Sequence, residues 1–281
     1  MRDYRQLPDW NALAEYRDSE LPLLETALLI ARDEYPQLDP TAYLIEIDGY
    51  AKRLEADLAP DLDIPSKLTA INHYLYRELG FSGNQQQYDD PRNSYLNEVF
   101  DRRLGIPISL AVVHIELMRR LGLALEGISF PGHFLVRLPV DDGIVVMDPF
   151  NQGRPVGFEE LRERATAHMD GGAPTDAQLI QILEPASSRA TLIRMLRNLQ
   201  AIYRNRGDFE RVARSADRIL KLAPDLPEAL RDRGMAYAEL GYIKGARADF
   251  TRYLQLRPEA EDAESVRMGL IASSIGQSAL N

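Results

Sequence analysis

The chain has 281 residues, 45% hydrophobic and 27% charged, with no cysteine and a formal net charge of -10. That composition fits a globular protein of about two domains. It excludes disulfides, thiolate metal sites and a cysteine nucleophile, and its acidity opposes non-specific nucleic-acid binding.

No run approaches the roughly 18 apolar residues of a membrane span. The opening MRDYRQLPDW lacks the apolar stretch of a secretory signal. A cytoplasmic protein is therefore expected, with no membrane association. The charge is uneven: residues 186–258 hold 15 Lys and Arg against 8 Asp and Glu, a net of +7 against -17 for the remainder. Two solvated surfaces account for this, as does docking of the two parts on each other or an acidic partner for the basic part.

In chain order, ELPLLETALLIARDEY carries Leu24, Leu28 and Ala31 at helical spacing. PTAYLIEIDGYAKRLEADL reads as a second helix. DIPSKLTAINHYLYRELGF reads as a third, with Leu68, Ile71, Leu75 and Leu79 on one face and a stop at Gly80. SGNQQQYDDPRNS is a polar loop, and SYLNEVFDRRLG a short helix ending near Gly105. GIPISLAVVHIELMRRLG follows, with Ser109 in the first turn of an apolar helix. The period then changes. LEGISF, HFLVRL and GIVVMDPF are short and rich in β-branched and aromatic residues, and read as a small antiparallel sheet. FEELRERATAH returns to helix. Helices first and sheet later give an α+β domain.

Beyond residue 186 the sequence repeats. LRNLQAIYRNRGDFERVARSADRILKLAP from Leu196 aligns with LRDRGMAYAELGYIKGARADFTRYLQLRP from Leu230. Tyr203 matches Tyr237, Gly207 matches Gly241 and Pro224 matches Pro258, each pair 34 residues apart. That is the period of the tetratricopeptide repeat. The two repeats are all-α, and EDAESVRMGLIASSIG supplies a capping helix. The division expected is 1–185 for the α+β domain and 186–281 for the repeats.

Three polar residues fall at element ends: Ser109 at a helix start, His133 in PGHFLVRL and Asp148 in VVMDPF. Helix, strand, strand, carrying nucleophile position, imidazole and carboxylate in that order, is the layout of the transglutaminase and papain-like thiol enzymes. YDDPRNSYLNEVFDRRLGIPISL, LGLALEGISFPGHFLVRL and MDPFNQG together resemble the transglutaminase-like domain of the bacterial SirB family, which also carries tetratricopeptide repeats. The resemblance implies a transglutaminase-like (papain-like) fold. It puts His133 and Asp148 at the histidine and aspartate positions of the triad, and Ser109 at the cysteine position.

A thiol enzyme stores a thiolate, which a helix N-terminus and an imidazolium stabilise. A serine hydroxyl cannot be stored as an anion that way and needs a base and an oxyanion hole in the transition state. Three readings stand open. Ser109 is a first-turn cap beside a structural His–Asp pair; or the three line a non-hydrolytic pocket for a peptide or amide; or they form a serine amidase or acyl-transferase. The function expected is a non-enzymatic interaction or regulatory protein binding a protein or peptide, with serine-dependent amide hydrolysis or acyl transfer as the alternative. Candidate binding residues are Asn93 and Asn97 in the first domain, and Arg197, Arg204, Arg231 and Arg233 on the repeats. His73, His114 and His168 lack ligand-spaced partners, and Asp89 and Asp90 read as caps. No metal site or cofactor is expected.

Overall fold

The computed structural model describes residues 7–59, 61–169 and 172–278, with side chains described as far as residue 271. The chain divides into two compact units. One comprises residues 17–192 and the other residues 193 onward together with Asp9–Tyr16.

The first unit begins with α1 (Leu23–Arg32), α2 (Pro40–Asp57) and α3 (Ile64–His73). Asp39 and Asp63 cap α2 and α3, each ahead of a proline in the first helical turn. The third helix widens into a π-turn over Tyr74–Glu78 and ends at Gly80. This turn brings Tyr74, Leu75 and Tyr76 all into the core. Next come β1 (Ser82–Gly83), a 3-10 turn (Pro91–Asn93), α4 (Leu96–Arg102) and β2 (Leu104–Gly105), with β1 and β2 pairing in parallel. The loop expected between the helices thus contains a short strand and a turn.

The helix carrying Ser109 is α5 (Pro107–Arg120). Every residue from Pro107 to Met118 is buried. It is a central helix, covered all round, and not a surface helix with one apolar stripe.

The sheet is β3 (Glu126–Ile128), β4 (Leu135–Val140), β5 (Gly143–Asp148) and β6 (Arg154–Pro155), antiparallel and in sequence order. β4 packs against α5. Leu135 and Val146 belong to a cluster with Leu161, Ala165, Leu179 and Leu183. These come from α6 (Phe158–Thr166), α7 (Asp176–Ile182) and its end. Cover on both faces explains why FLVRL is nearly continuous in apolar residues. The sequence reading lacked β6 and α7. The latter starts with a Thr175–Gln178 capping box.

The second unit is a run of antiparallel helices: α8 (Ser188–Asn205), whose first residues belong to the first unit, then α9 (Phe209–Leu222), α10 (Pro227–Glu239), α11 (Ile243–Leu256) and α12 (Ala263–Ser278). The repeat turns sit at Gly207 (φ 69°) and Gly241 (φ 75°), where a side chain would be strained. α9 and α11 stop just before Pro224 and Pro258. The structure shows the expected class: an α+β domain followed by an all-α repeat array. No described helix is long and apolar enough to cross a membrane.

Inside α5, His114 is fully buried, with Nδ1 3.1 Å from Tyr76 Oη. Burial pulls its imidazole down to about 3. Between pH 6.5 and that value only the unfolded chain takes up the proton, so stability present above pH 6.5 is lost as pH falls. At about pH 5 the loss is about 2 kcal/mol. His114→Gln keeps a polar partner for Tyr76 and removes the titration. It is expected to shrink the difference in urea-unfolding free energy between about pH 7.5 and about pH 5 by that amount. An unchanged difference places the acid sensitivity elsewhere.

Candidate functional site

α5 begins without a capping side chain, because its N-cap residue is Ile106. Ser109, in the third helical position, supplies the missing polar group from inside the helix. Its Oγ accepts the Ile106 N–H at 3.0 Å and donates to the Asn93 carbonyl at 2.6 Å. The Ile106 carbonyl lies 3.1 Å from the same hydroxyl. Ser109 is fully buried, and none of its hydrogen bonds goes to an imidazole. Gly105 closes the other side: a Cβ there would stand 2.7 Å from Ser109 Oγ and 3.0 Å from Leu110 Cγ.

Asn93 also turns inward. Its side chain donates to the Gln87 and Tyr88 carbonyls at 2.7 and 3.2 Å, and its Oδ1 accepts from Asn84 at 3.0 Å. Asn93 is fully buried and Asn97, on α4, is 5% exposed. Neither offers a surface to a ligand, contrary to the reading of both as binding residues. A polar side chain in that loop has to face the protein, because the loop's own carbonyls need donors.

His133 and Asp148 do meet. His133 lies two residues before β4, in the Pro131–Gly132 turn, and Asp148 ends β5. His133 Nε2 stands 2.9 Å from Asp148 Oδ1. The imidazole is 21% exposed and the carboxylate fully buried. Asp148 Oδ1 also accepts the backbone N–H groups of Phe150 and Asn151, at 3.1 and 3.3 Å. Its Oδ2 accepts from Asn151 Nδ2 at 2.7 Å and from Arg164 at 2.8 Å. Burial pushes the Asp148 carboxyl up, but hydrogen bonding and charge from His133, then Arg164 and Asn151, outweigh it and hold the group well below the usual carboxylate range. Arg164 continues to Glu160 at 2.6 Å, and Glu160 to Arg154 at 2.5 Å. Hydrogen bonds from Arg154 and Arg164 keep Glu160 at about 2.

The ring of Phe150 meets His133 edge-on, with centroids 6.1 Å apart, and Tyr88 edge-on at 6.0 Å. Burial pushes the hydroxyl of Tyr76 well up, and the charge of Asp148 adds to this. Sequence reasoning missed Tyr76, Arg164 and Asn151 as members of this cluster. Asn151 was legible in MDPFNQG as a neighbour of Asp148. Arg164 had no local signal, since a helix and a strand separate it from its partner. The other histidines stand apart. His73 is exposed and 3.3 Å from Glu78, and the ring of His168 lies over Gly132. Asp90 caps the 3-10 turn through the Arg92 N–H at 3.0 Å. No group of three or more metal-ligating side chains occurs among the described residues.

Of the four repeat arginines expected to bind a partner, three hold carboxylates of the array. Arg233 contacts Asp249 and Asp217, both at 2.8 Å. Arg231 contacts Asp262 at 2.5 Å and Asp232 at 3.0 Å. Arg204 contacts Asp232 at 3.1 Å. Each is thus tied to a carboxylate of the array, while Arg204 stays 48% exposed. Arg197 is exposed.

Fold and site together define a transglutaminase-like domain followed by tetratricopeptide repeats. Residues 41–197 match the transglutaminase-like superfamily and residues 199–270 the tetratricopeptide repeat. A UPF0162 protein of Xylella fastidiosa (strain 9a5c) is 58% identical over 265 residues, 94% of each chain. A UPF0162 protein of Vibrio cholerae is 30% identical over 256 residues, 90% of this chain and 93% of that one. F-box only protein 21 of Homo sapiens is 28% identical over 200 residues, 66% of this chain and 30% of that one. The chain belongs to the transglutaminase-like superfamily, and within it to the UPF0162 proteins.

If Ser109 acts as a cap, its loss must cost stability. Ser109→Ala removes two buried hydrogen bonds and leaves the Ile106 N–H only its long one, 3.4 Å, to the Asn93 carbonyl, a cost of about 1–3 kcal/mol for the two. Urea unfolding measures it. A variant as stable as the unaltered protein would remove the capping role.

Proposed function

We propose that the protein is a non-enzymatic interaction or regulatory protein of the cytoplasm. In this reading the transglutaminase-like domain is a binding frame and the repeats engage a protein or peptide partner. The observation that carries it is the commitment of the Ser109 hydroxyl: its proton goes to Asn93 O and its lone pair to the Ile106 N–H. A nucleophile needs that proton on a base and that lone pair on a substrate. Ser109 has neither, and it is shut in by Gly105. Ser109, His133 and Asp148 then stand as a relic triad in which only the last two still act together. Arg197 remains a candidate contact for a partner's carboxylate. We assign no cofactor and no nucleic-acid partner, in keeping with the net charge of -10. The narrower placement within the SirB family rests on the sequence stretches quoted above.

The partly exposed His133, paired with a buried carboxylate at 2.9 Å, supports a second reading, serine-dependent amide hydrolysis or acyl transfer. A paired imidazole is a competent base. It would need Ser109 to leave its present hydrogen bonds.

Two measurements separate the readings. The unaltered protein is expected to turn over no amide or activated ester above the Ser109→Ala background. In Ser109→Cys, the larger sulfur enters a site closed by Gly105 and the Asn93 carbonyl. Iodoacetamide labelling of that variant should be slower than for a free thiol and should titrate at or above the ~8.5 of unperturbed cysteine. Turnover lost in Ser109→Ala, or fast labelling titrating well below that value, would establish a working frame and sink the non-enzymatic reading.

A further inference from the structure

The last helix of the array departs from what a capping helix should be. A terminal repeat element needs a polar outer face, because nothing stacks beyond it. On one side α12 packs against α10 and α11. Ala263 and Val266 are buried there, and a Cβ on Gly269 would stand 3.3 Å from the Phe250 ring of α11. On another side it presents Met268 and Ile271, 65% and 58% exposed. These two lie three residues apart and are neighbours on the helix surface.

The 34-residue register says what such a face is for. α12 takes the place of the first helix of a third repeat, and Met268 and Ile271 stand 34 residues after Gly234 and Tyr237. Both of those face α11, the second helix of their own repeat. A Cβ on Gly234 would stand 2.7 Å from the Phe250 ring, and one on Gly245 of α11 would stand 2.9 Å from the Tyr237 ring. The charges follow the same register. Arg233 pairs with Asp249 on α11 at 2.8 Å. Arg252, near the end of α11, pairs with Asp225 ahead of α10, also at 2.8 Å. Arg267 and Glu259 stand 34 residues after Arg233 and Asp225. Glu259 is exposed, and Arg267 meets Glu264 of its own helix at 3.2 Å in an exposed pair, which holds it weakly. Glu264 replaces Leu230 in the register and adds a carboxylate at the same end. The positions by which α10 and the turn before it hold α11 thus recur at α12 with the same signs of charge. Among the described residues no helix covers Met268 and Ile271.

We propose that this face of α12 is a docking seat for an amphipathic helix of a partner protein, laid antiparallel to α12 as the second helix of a repeat would be. The partner helix has the chemistry of α11: an aromatic and a small residue against Met268 and Ile271, a carboxylate opposite Arg267, and an arginine or lysine near its C-terminal end opposite Glu259. Apolar burial supplies the affinity, and the two charged contacts set direction and register. This assignment rests on the interaction role proposed above and names the partner's chemistry and the place where it docks.

The test uses the full chain and a fluorescein-labelled peptide of the α11 sequence, IKGARADFTRYLQL, read by anisotropy. The peptide should bind saturably, and Ile271→Glu in the chain should weaken binding about tenfold or more. Ile271 is exposed, so this variant should keep its far-ultraviolet dichroism. Charge exchange tests the register. Arg267→Glu in the chain should weaken binding, and a peptide carrying Asp249→Lys should restore it. Glu259→Arg in the chain and Arg252→Glu in the peptide should behave the same way. These exchanges alter exposed groups of the chain and decide the matter should Ile271→Glu lose helix. No binding to the unaltered chain, equal binding to a folded Ile271→Glu variant, or exchanges that restore nothing each overturn the proposal. A dimer of the unaltered chain that Ile271→Glu dissociates would assign the seat to a second copy and overturn the partner assignment. Amide turnover dependent on Ser109 would sink the non-enzymatic role and leave these titrations intact, so the two failures are distinguishable.

Discussion

A helix buried on every side cannot leave its first N–H groups to water. α5 is in that position, with Pro107 through Met118 inside the protein and an isoleucine where a capping residue would stand. The α+β domain is organised around this requirement. Pro107 removes one donor. Ser109 takes the Ile106 N–H and hands its own proton to Asn93, which in turn holds the carbonyls of Gln87 and Tyr88 and the side chain of Asn84. The parallel pairing of β1 and β2 continues the arrangement, with Asn84 N–H bonded to Gly105 O at 2.9 Å. One hydroxyl therefore links the start of the central helix to the preceding loop. Structural use and chemical use of that hydroxyl compete for the same proton and lone pair.

The His133–Asp148 pair follows a different logic. Asp148 has no exposure, yet it keeps its charge because five donors surround it: an imidazole, a guanidinium, a side-chain amide and two backbone N–H groups. A buried carboxylate so fully satisfied fixes the joint between β5, the turn after it and α6, and removing one partner would leave costly unpaired charge. Of Ser109, His133 and Asp148, the imidazole alone reaches solvent. The carboxylate and histidine thus bond each other, while the Ser109 hydroxyl bonds Asn93 and Ile106.

In the repeat array the excess of arginine is largely absorbed. Arg233 on α10 bridges to α9 and α11 through Asp217 and Asp249, and Arg231 reaches Asp262 just ahead of α12. Their effect is to fix how one helix sits on the next, which a short array needs because each repeat buries little surface alone. On α9 Arg211 is likewise paired, meeting Asp208 at 2.7 Å, and the Arg218 guanidinium lies over the Trp10 ring.

Much of this was legible in the sequence because it depends on local rules. The 34-residue spacing of Tyr203 and Tyr237, the glycines at the turns and the prolines after the helices follow from helix-pair geometry and need no knowledge of neighbours. Likewise, the change from helical period to short β-branched runs located the sheet, and the positions of His133 and Asp148 at the start and end of adjacent strands brought them together. The sequence could not reveal what Ser109 bonds to, since a first-turn serine looks the same as cap or nucleophile. Asn93 lies 16 residues upstream, and only packing turns its carbonyl toward the hydroxyl. The same holds for Arg164 on Asp148, for Arg233 between two carboxylates and for Trp10 under Arg218. Polar and charged contacts across long separations are decided by which elements the hydrophobic core places side by side, and that placement belongs to the tertiary structure alone.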